Sequence, residues 1–154
     1  MSMTSEGTTF YMMRVLIVDD DPTSVATLKN CFQSQGCLFK VVTSGKQAVH
    51  ELSTHNYNLV ILDWKMPDMN GGETLVAVQS KIDSDAALKT KWANRKTPVL
   101  IYTGYHIKDV KFPTTANFVS VGVWDKLTAY RQLLPKAADI LAKLAAQNER
   151  RKAA

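Results

Sequence analysis

The chain has 154 residues, 45% of them hydrophobic, and 19 lysines and arginines against 14 aspartates and glutamates leave a net charge of +5. This suits one domain with a full core and excludes a membrane span, because no apolar stretch is long enough to cross a bilayer. Cys31 and Cys37 make no disulfide framework or metal pair, and buried free thiols fit a reducing cytosol, so a cytoplasmic protein is expected.

Residues 1–12 are polar and lack the apolar centre of a signal peptide, so they read as a disordered leader. The domain proper is expected over 13–147. Val15 to Val18 forms a buried strand that stops at Asp19, Asp20 and Asp21. Pro22 then opens a helix, with Asp21 as its cap and Gly36 as its stop. Phe39 to Val42 is a second strand, and a helix follows over about 46–54. Leu59 to Leu62 is a near-continuous apolar run, as a strand covered on both faces should be, and it ends at Asp63. Pro67, Asn70, Gly71 and Gly72 form a loop, and a helical region runs on from about Glu73 towards Trp92.

Pro98 to Tyr102 is the fourth strand and ends in Thr103-Gly104. The next segment, Ile107 to Asn117, carries Pro113, Thr114 and Thr115, so its helix is expected to be short, distorted or missing. Phe118 to Val123 is the fifth strand, interrupted by Gly122, and a last helix spans about 129–147. Pro135 either starts that helix or kinks it. Residues 148–154 read as a basic tail. Its cations suit a helix C-terminus, and without aromatic interleaving nucleic acid is not an expected partner.

Alternating strands and helices predict an α/β fold, a doubly wound parallel sheet with helices on both faces. Such sheets place their sites at the carboxyl ends of the strands. Asp19, Asp20, Asp63, Thr103 and Lys126 all fall at such ends. Carboxylates gathered there repel one another unless a divalent cation sits among them, which points to metal-assisted phosphoryl chemistry.

Four motifs in order carry a resemblance: Val18-Asp19-Asp20-Asp21-Pro22, Ile61-Leu62-Asp63-Trp64-Lys65-Met66-Pro67, Tyr102-Thr103-Gly104 and Trp124-Asp125-Lys126. Together the chain resembles the response-regulator receiver family, single-domain and chemotaxis-regulator-like, from about Met13 to Ala146. The resemblance implies a flavodoxin-like five-stranded sheet of order 2-1-3-4-5. It implies that Asp63 is the phosphoacceptor, phosphorylated by a sensor histidine kinase or a phosphotransfer protein. Asp19, Asp20, Asp63 and the backbone carbonyl of Lys65 would hold Mg2+. Thr103 would be the switch hydroxyl, and Lys126 would pair with the phosphoryl oxygens. Such a module is a two-component signalling switch rather than an enzyme, although it catalyses its own phosphorylation and dephosphorylation. Its output would pass to an unidentified downstream protein, with a homodimer allowed.

Three departures stand out. Val123 occupies a position where receivers often carry an aromatic residue, and Trp124 faces the other way by strand alternation. Leu127 follows Lys126 where the family usually has a cis proline, so a trans bond is expected. The segment after strand four is the third. Lys65 and Tyr105 occupy positions that tune phosphoryl lifetime in relatives. A phosphorylation-independent pseudo-receiver scaffold is the alternative reading. A haloacid-dehalogenase-like phosphatase is a weaker one, because that class wants an acid where Lys65 stands.

Overall fold

The computed structural model describes residues 13–153. The leader expected over 1–12 lies outside them. Five parallel strands, β1 (Arg14–Val18), β2 (Leu38–Val42), β3 (Leu59–Leu62), β4 (Thr97–Thr103) and β5 (Phe118–Asp125), lie in the order β2-β1-β3-β4-β5. The helices are α1 (Pro22–Gln33), α2 (Gly45–Thr54), α3 (Gly71–Ser84), α4 (Ala86–Lys91) and α5 (Tyr130–Ala153). The flavodoxin-like arrangement expected from the sequence is the one observed.

Side-chain alternation along the strands divides the core. Val15, Ile17, Leu59, Ile61, Leu100 and Tyr102 face α1 and α5. Leu16, Val18, Val60, Leu62, Val99 and Ile101 face α2 and α3. Each fully buried aliphatic side chain contributes roughly 2 kcal/mol. Two sided burial is why β1, β3 and β4 need unbroken apolar runs.

Local chemistry sets the helix ends. Asp21 caps α1: its carboxylate accepts from Thr23 N–H at 3.1 Å and from the Ser24 hydroxyl at 2.9 Å. Gly36 has φ +83°, a left-handed conformation suited to stopping the helix. Asn70 and Glu73 form a reciprocal capping box on α3. Asp85 breaks the helical region and caps α4 through Ala87 and Leu88 N–H.

Between β4 and β5 the only regular element is a 3-10 turn, Ile107–Asp109. The helix expected there to be short, distorted or missing is reduced to that turn. Val110 and Phe112 instead cover the sheet from an extended segment. In β5, Val99 pairs with Ser120 but Leu100 with Gly122, so Val121 bulges out. Gly122 has φ +152°, which a side chain would resist. The bulge reverses the alternation, so Val123 faces α3 and Trp124 faces α1, where it stacks on Phe32 at 6.3 Å.

α5 starts where expected and runs on further than expected. It begins before Pro135 and passes through it, leaving the Arg131 carbonyl without its usual donor. It also continues to Ala153, through most of the segment read as a basic tail, because nothing after Gln147 breaks a helix.

Trp92 lies against Phe118, ring centroids 5.4 Å apart, and is 2% exposed. Asn117 ties this corner together. Its amide donates to the carbonyls of Trp92 (2.9 Å) and Arg95 (2.7 Å), and it exchanges two bonds with Gln79. Asn117→Ala therefore leaves several buried groups unpaired and is expected to lower stability by about 3 kcal/mol. Urea denaturation checks this, and a loss below about 1 kcal/mol would show the network to be dispensable.

Candidate functional site

The site forms because β1 and β3 are neighbours in register, with Val18 beside Leu62. The next residues, Asp19 and Asp63, therefore emerge side by side. Asp63 N–H donates to the Val18 carbonyl at 2.9 Å, and Asp19 N–H to the Val42 carbonyl at 3.1 Å. Thr103 and Asp125 are paired across β4 and β5, and Lys126 N–H donates to the Thr103 carbonyl at 3.1 Å. That bond aims the Lys126 side chain back over the acids.

Lys126 Nζ lies 2.9 Å from Asp19 Oδ2 and 3.1 Å from Asp63 Oδ2. Asp19 is 1% exposed and Asp63 5%. Asp20 is exposed, yet Asp19, Asp20 and Asp63 each bring a carboxylate oxygen within 4.8 Å of the others. Burial pushes the Asp19 carboxyl up to about 6, and the Asp63 charge adds to this, while Asp21 N–H and Lys126 oppose it. The two carboxylates in turn raise the Lys126 ammonium above the usual lysine range, against its own burial.

Three oxygens at this spacing suit a hard divalent cation such as magnesium. One further observation fits: Asp19 Oδ2 is buried and accepts no well-aligned hydrogen bond, despite its closeness to Lys126. Asp21 stands apart, occupied in capping α1.

Around this centre, Lys65 N–H donates to Asp63 Oδ1 at 3.3 Å. Lys65 Nζ sits 5.5 Å above the Tyr105 ring, spanning the loops after β3 and β4. Thr103 is fully buried, and its hydroxyl oxygen accepts from Tyr105 N–H at 3.1 Å. Among the described residues no peptide bond is cis, so Lys126–Leu127 is trans, and the Leu127 side chain is 90% exposed. Its N–H donates to Asp125 Oδ1 at 2.8 Å, which closes the turn.

All of the residues singled out from the sequence are thus brought to one end of the sheet. Sequence reasoning missed Asp68. Its carboxylate accepts from Gly45 and Lys46 N–H at 3.1 and 3.0 Å, fastening the β3–α3 loop to the start of α2. No local pattern signals a contact across 22 residues. Gly71 holds the same loop close: a Cβ there would lie 2.8 Å from the Trp64 ring and 3.0 Å from the Asp63 carbonyl.

Comparison with known proteins agrees with this geometry. The family described as response regulator receiver domain matches residues 15–128. The cell cycle transcriptional regulator CtrA of Caulobacter vibrioides is 30% identical over 107 residues, 68% of this chain and 40% of that protein. The chain spans well under half the length of the curated relatives it matches. Among solved structures, the response regulator TrrA of Thermotoga maritima, in complex with Mg2+ and BeF, is 26% identical, with TM-score 0.58 over 86% of this chain and 99% of that one. The N-terminal domain of a response regulator/sensory box/GGDEF protein from Carboxydothermus hydrogenoformans is 20% identical, with TM-score 0.65 over 88% and 98%. Among the described residues, no helix is long and apolar enough to cross a membrane.

Proposed function

Since the chain belongs to the response regulator receiver domain family, we propose that it is a phosphoacceptor module in which Asp63 takes a phosphoryl group from a sensor histidine kinase or a phosphotransfer protein. One observation carries this reading: the Asp63 carboxylate ends β3 beside two further acids, with an ammonium 3.1 Å away. The TrrA relative, crystallised with a metal and a phosphoryl mimic, supports it.

Asp19, Asp20, Asp63 and the Lys65 carbonyl would hold Mg2+, which when bound neutralises charge as the phosphoryl group meets the carboxylate. Lys65 N–H orients the Asp63 carboxylate. An Asp63 oxygen forms the new bond to phosphorus while the donor's bond to phosphorus breaks. Lys126, already against Asp63, then pairs with the phosphoryl oxygens. Thr103 turns its hydroxyl from Tyr105 N–H to the phosphoryl group, and the loop through Tyr105 follows. These new contacts favour one of two loop arrangements, which is a population shift.

Output then passes through the loop after β4 to a protein partner. Val123 offers no aromatic ring to report the switch, and Trp124 is committed to Phe32 on the other face. The protein acts on no separate substrate beyond its own phosphorylation and dephosphorylation.

The test is incubation with magnesium and acetyl phosphate, read by intact mass. A gain of one phosphoryl group is expected. No gain, and no response to beryllofluoride, would leave a binding scaffold instead.

A pH dependence follows. Because the Asp19 carboxyl titrates at about 6, protons compete with the metal. Magnesium affinity is expected to fall by up to about tenfold per pH unit below that point. Calorimetric titration from about pH 5 to about pH 7, either side of the Asp19 midpoint, checks this, and a flat profile would remove Asp19 from the ligand set.

A further inference from the structure

A second candidate site lies at the opposite pole of the sheet. A cleft of about 360 Å³ opens between the starts of β4 and β5 and the last turns of α5. Among the described residues, its only charged lining residues are Arg95 and Lys96, both cationic. Among the described residues neither makes an ion pair.

Arg95 is held in place rather than free to wander. Its guanidinium lies 5.2 Å from the Trp92 ring centroid, and its Nη1 donates to Asn56 Oδ1. A planar guanidinium fixed this way keeps further N–H donors for an anion at little entropic cost. Asn58 also lines the cleft. Its Oδ1 is taken by Arg14 N–H at 2.8 Å, which leaves its amide nitrogen to donate. Gln147 brings another amide from α5, while Val119 and Leu144 form an apolar wall.

Two cations beside each other would leave one uncompensated by a single carboxylate. A phosphate carries close to two charges and several acceptor oxygens, which match the pair and the surrounding amides. The volume lies at the small end of ligand pockets. We propose that this cleft binds a small phosphate-bearing ligand, its anion on Arg95 and Lys96 and its apolar part against Val119 and Leu144.

The probes are inorganic pyrophosphate and ADP, titrated into the magnesium-free protein at constant ionic strength and followed by backbone amide chemical shifts. Both are expected to saturate, moving amides over 94–97, 119–121 and 147–148. ADP should bind more tightly, because only it presents an apolar ring to the wall. Arg95→Gln is expected to weaken both by at least about tenfold, a charge-assisted pair being lost. Arg95 also covers Trp92, so Lys96→Gln, at an exposed position, gives an independent reading with the fold preserved. No saturation by about 10 mM would overturn the proposal. So would affinities untouched by both substitutions, or shifts centred on Lys126 instead.

Discussion

Asp63→Asn is expected to remain folded and to take up no phosphoryl group from acetyl phosphate and magnesium, while the wild-type chain gains one. The amide is nearly the same size as the carboxylate it replaces, and Lys126 keeps Asp19 as a partner at 2.9 Å. The fold therefore loses little. The chemistry loses its nucleophile, since an uncharged amide oxygen attacks phosphorus far more weakly, and a fall in rate of at least about 100-fold follows. Asp21→Asn is the matched control. That side chain caps α1 through Thr23 and Ser24, and asparagine caps about as well, so phosphorylation should persist. Equal mass gain in Asp63→Asn and wild type would place the acceptor elsewhere.

Lys126→Met should have a large effect on the protein's own stability. It leaves Asp19 and Asp63, 1% and 5% exposed, facing each other without the cation between them. Breaking a buried pair this way costs about 3 kcal/mol near neutral pH. The pH dependence has a definite sign. In the wild type, the raised Asp19 carboxyl at about 6 means that its ionisation opposes folding above that pH, and the penalty fades as pH falls. The raised Lys126 ammonium adds stability that is present below the ordinary lysine range and lost as pH rises through its folded value. Removing Lys126 deletes the second contribution and pushes the Asp19 carboxyl higher still. The folded variant then binds more protons than the unfolded chain, so its stability should climb steeply as pH drops from about 8 to about 5. Magnesium should recover part of the loss, by supplying the missing positive charge. Urea denaturation at several pH values measures all of this. A variant as stable as wild type, with the same pH profile, would mean that the acids do not depend on the ammonium.

The acid cluster was legible in the sequence for a physical reason. Buried parallel strands read as unbroken apolar runs, and a polar residue at the end of such a run has one place to go, the carboxyl edge of the sheet. Asp19, Asp63, Thr103 and Lys126 were placed by that logic. Pro22 behind Asp21 also marked a helix cap, so Asp21 could be set apart from its neighbours. The proline and threonines after Ile107 announced a short, distorted or missing helix, and a 3-10 turn stands there.

Other features depend on contacts between residues far apart in the chain. Asp68 looks like any loop aspartate until α2 presents two free N–H groups to it. Asn117 looks like a turn residue, yet it joins α3, the end of α4 and β5. Gly122 signalled an irregular strand, but only pairing with β4 shows Val121 bulging and Trp124 turned onto Phe32. Arg95 and Lys96 were one more basic pair until the fold set them beside a cleft that no carboxylate of the described residues lines. Periodicity and helix caps are local, carried by neighbours along the chain, so sequence alone determined the elements and the strand ends that bear the acids. The ammonium over those acids, the fastening of loops and the second cleft are set by distances through space, and only the tertiary structure decided them.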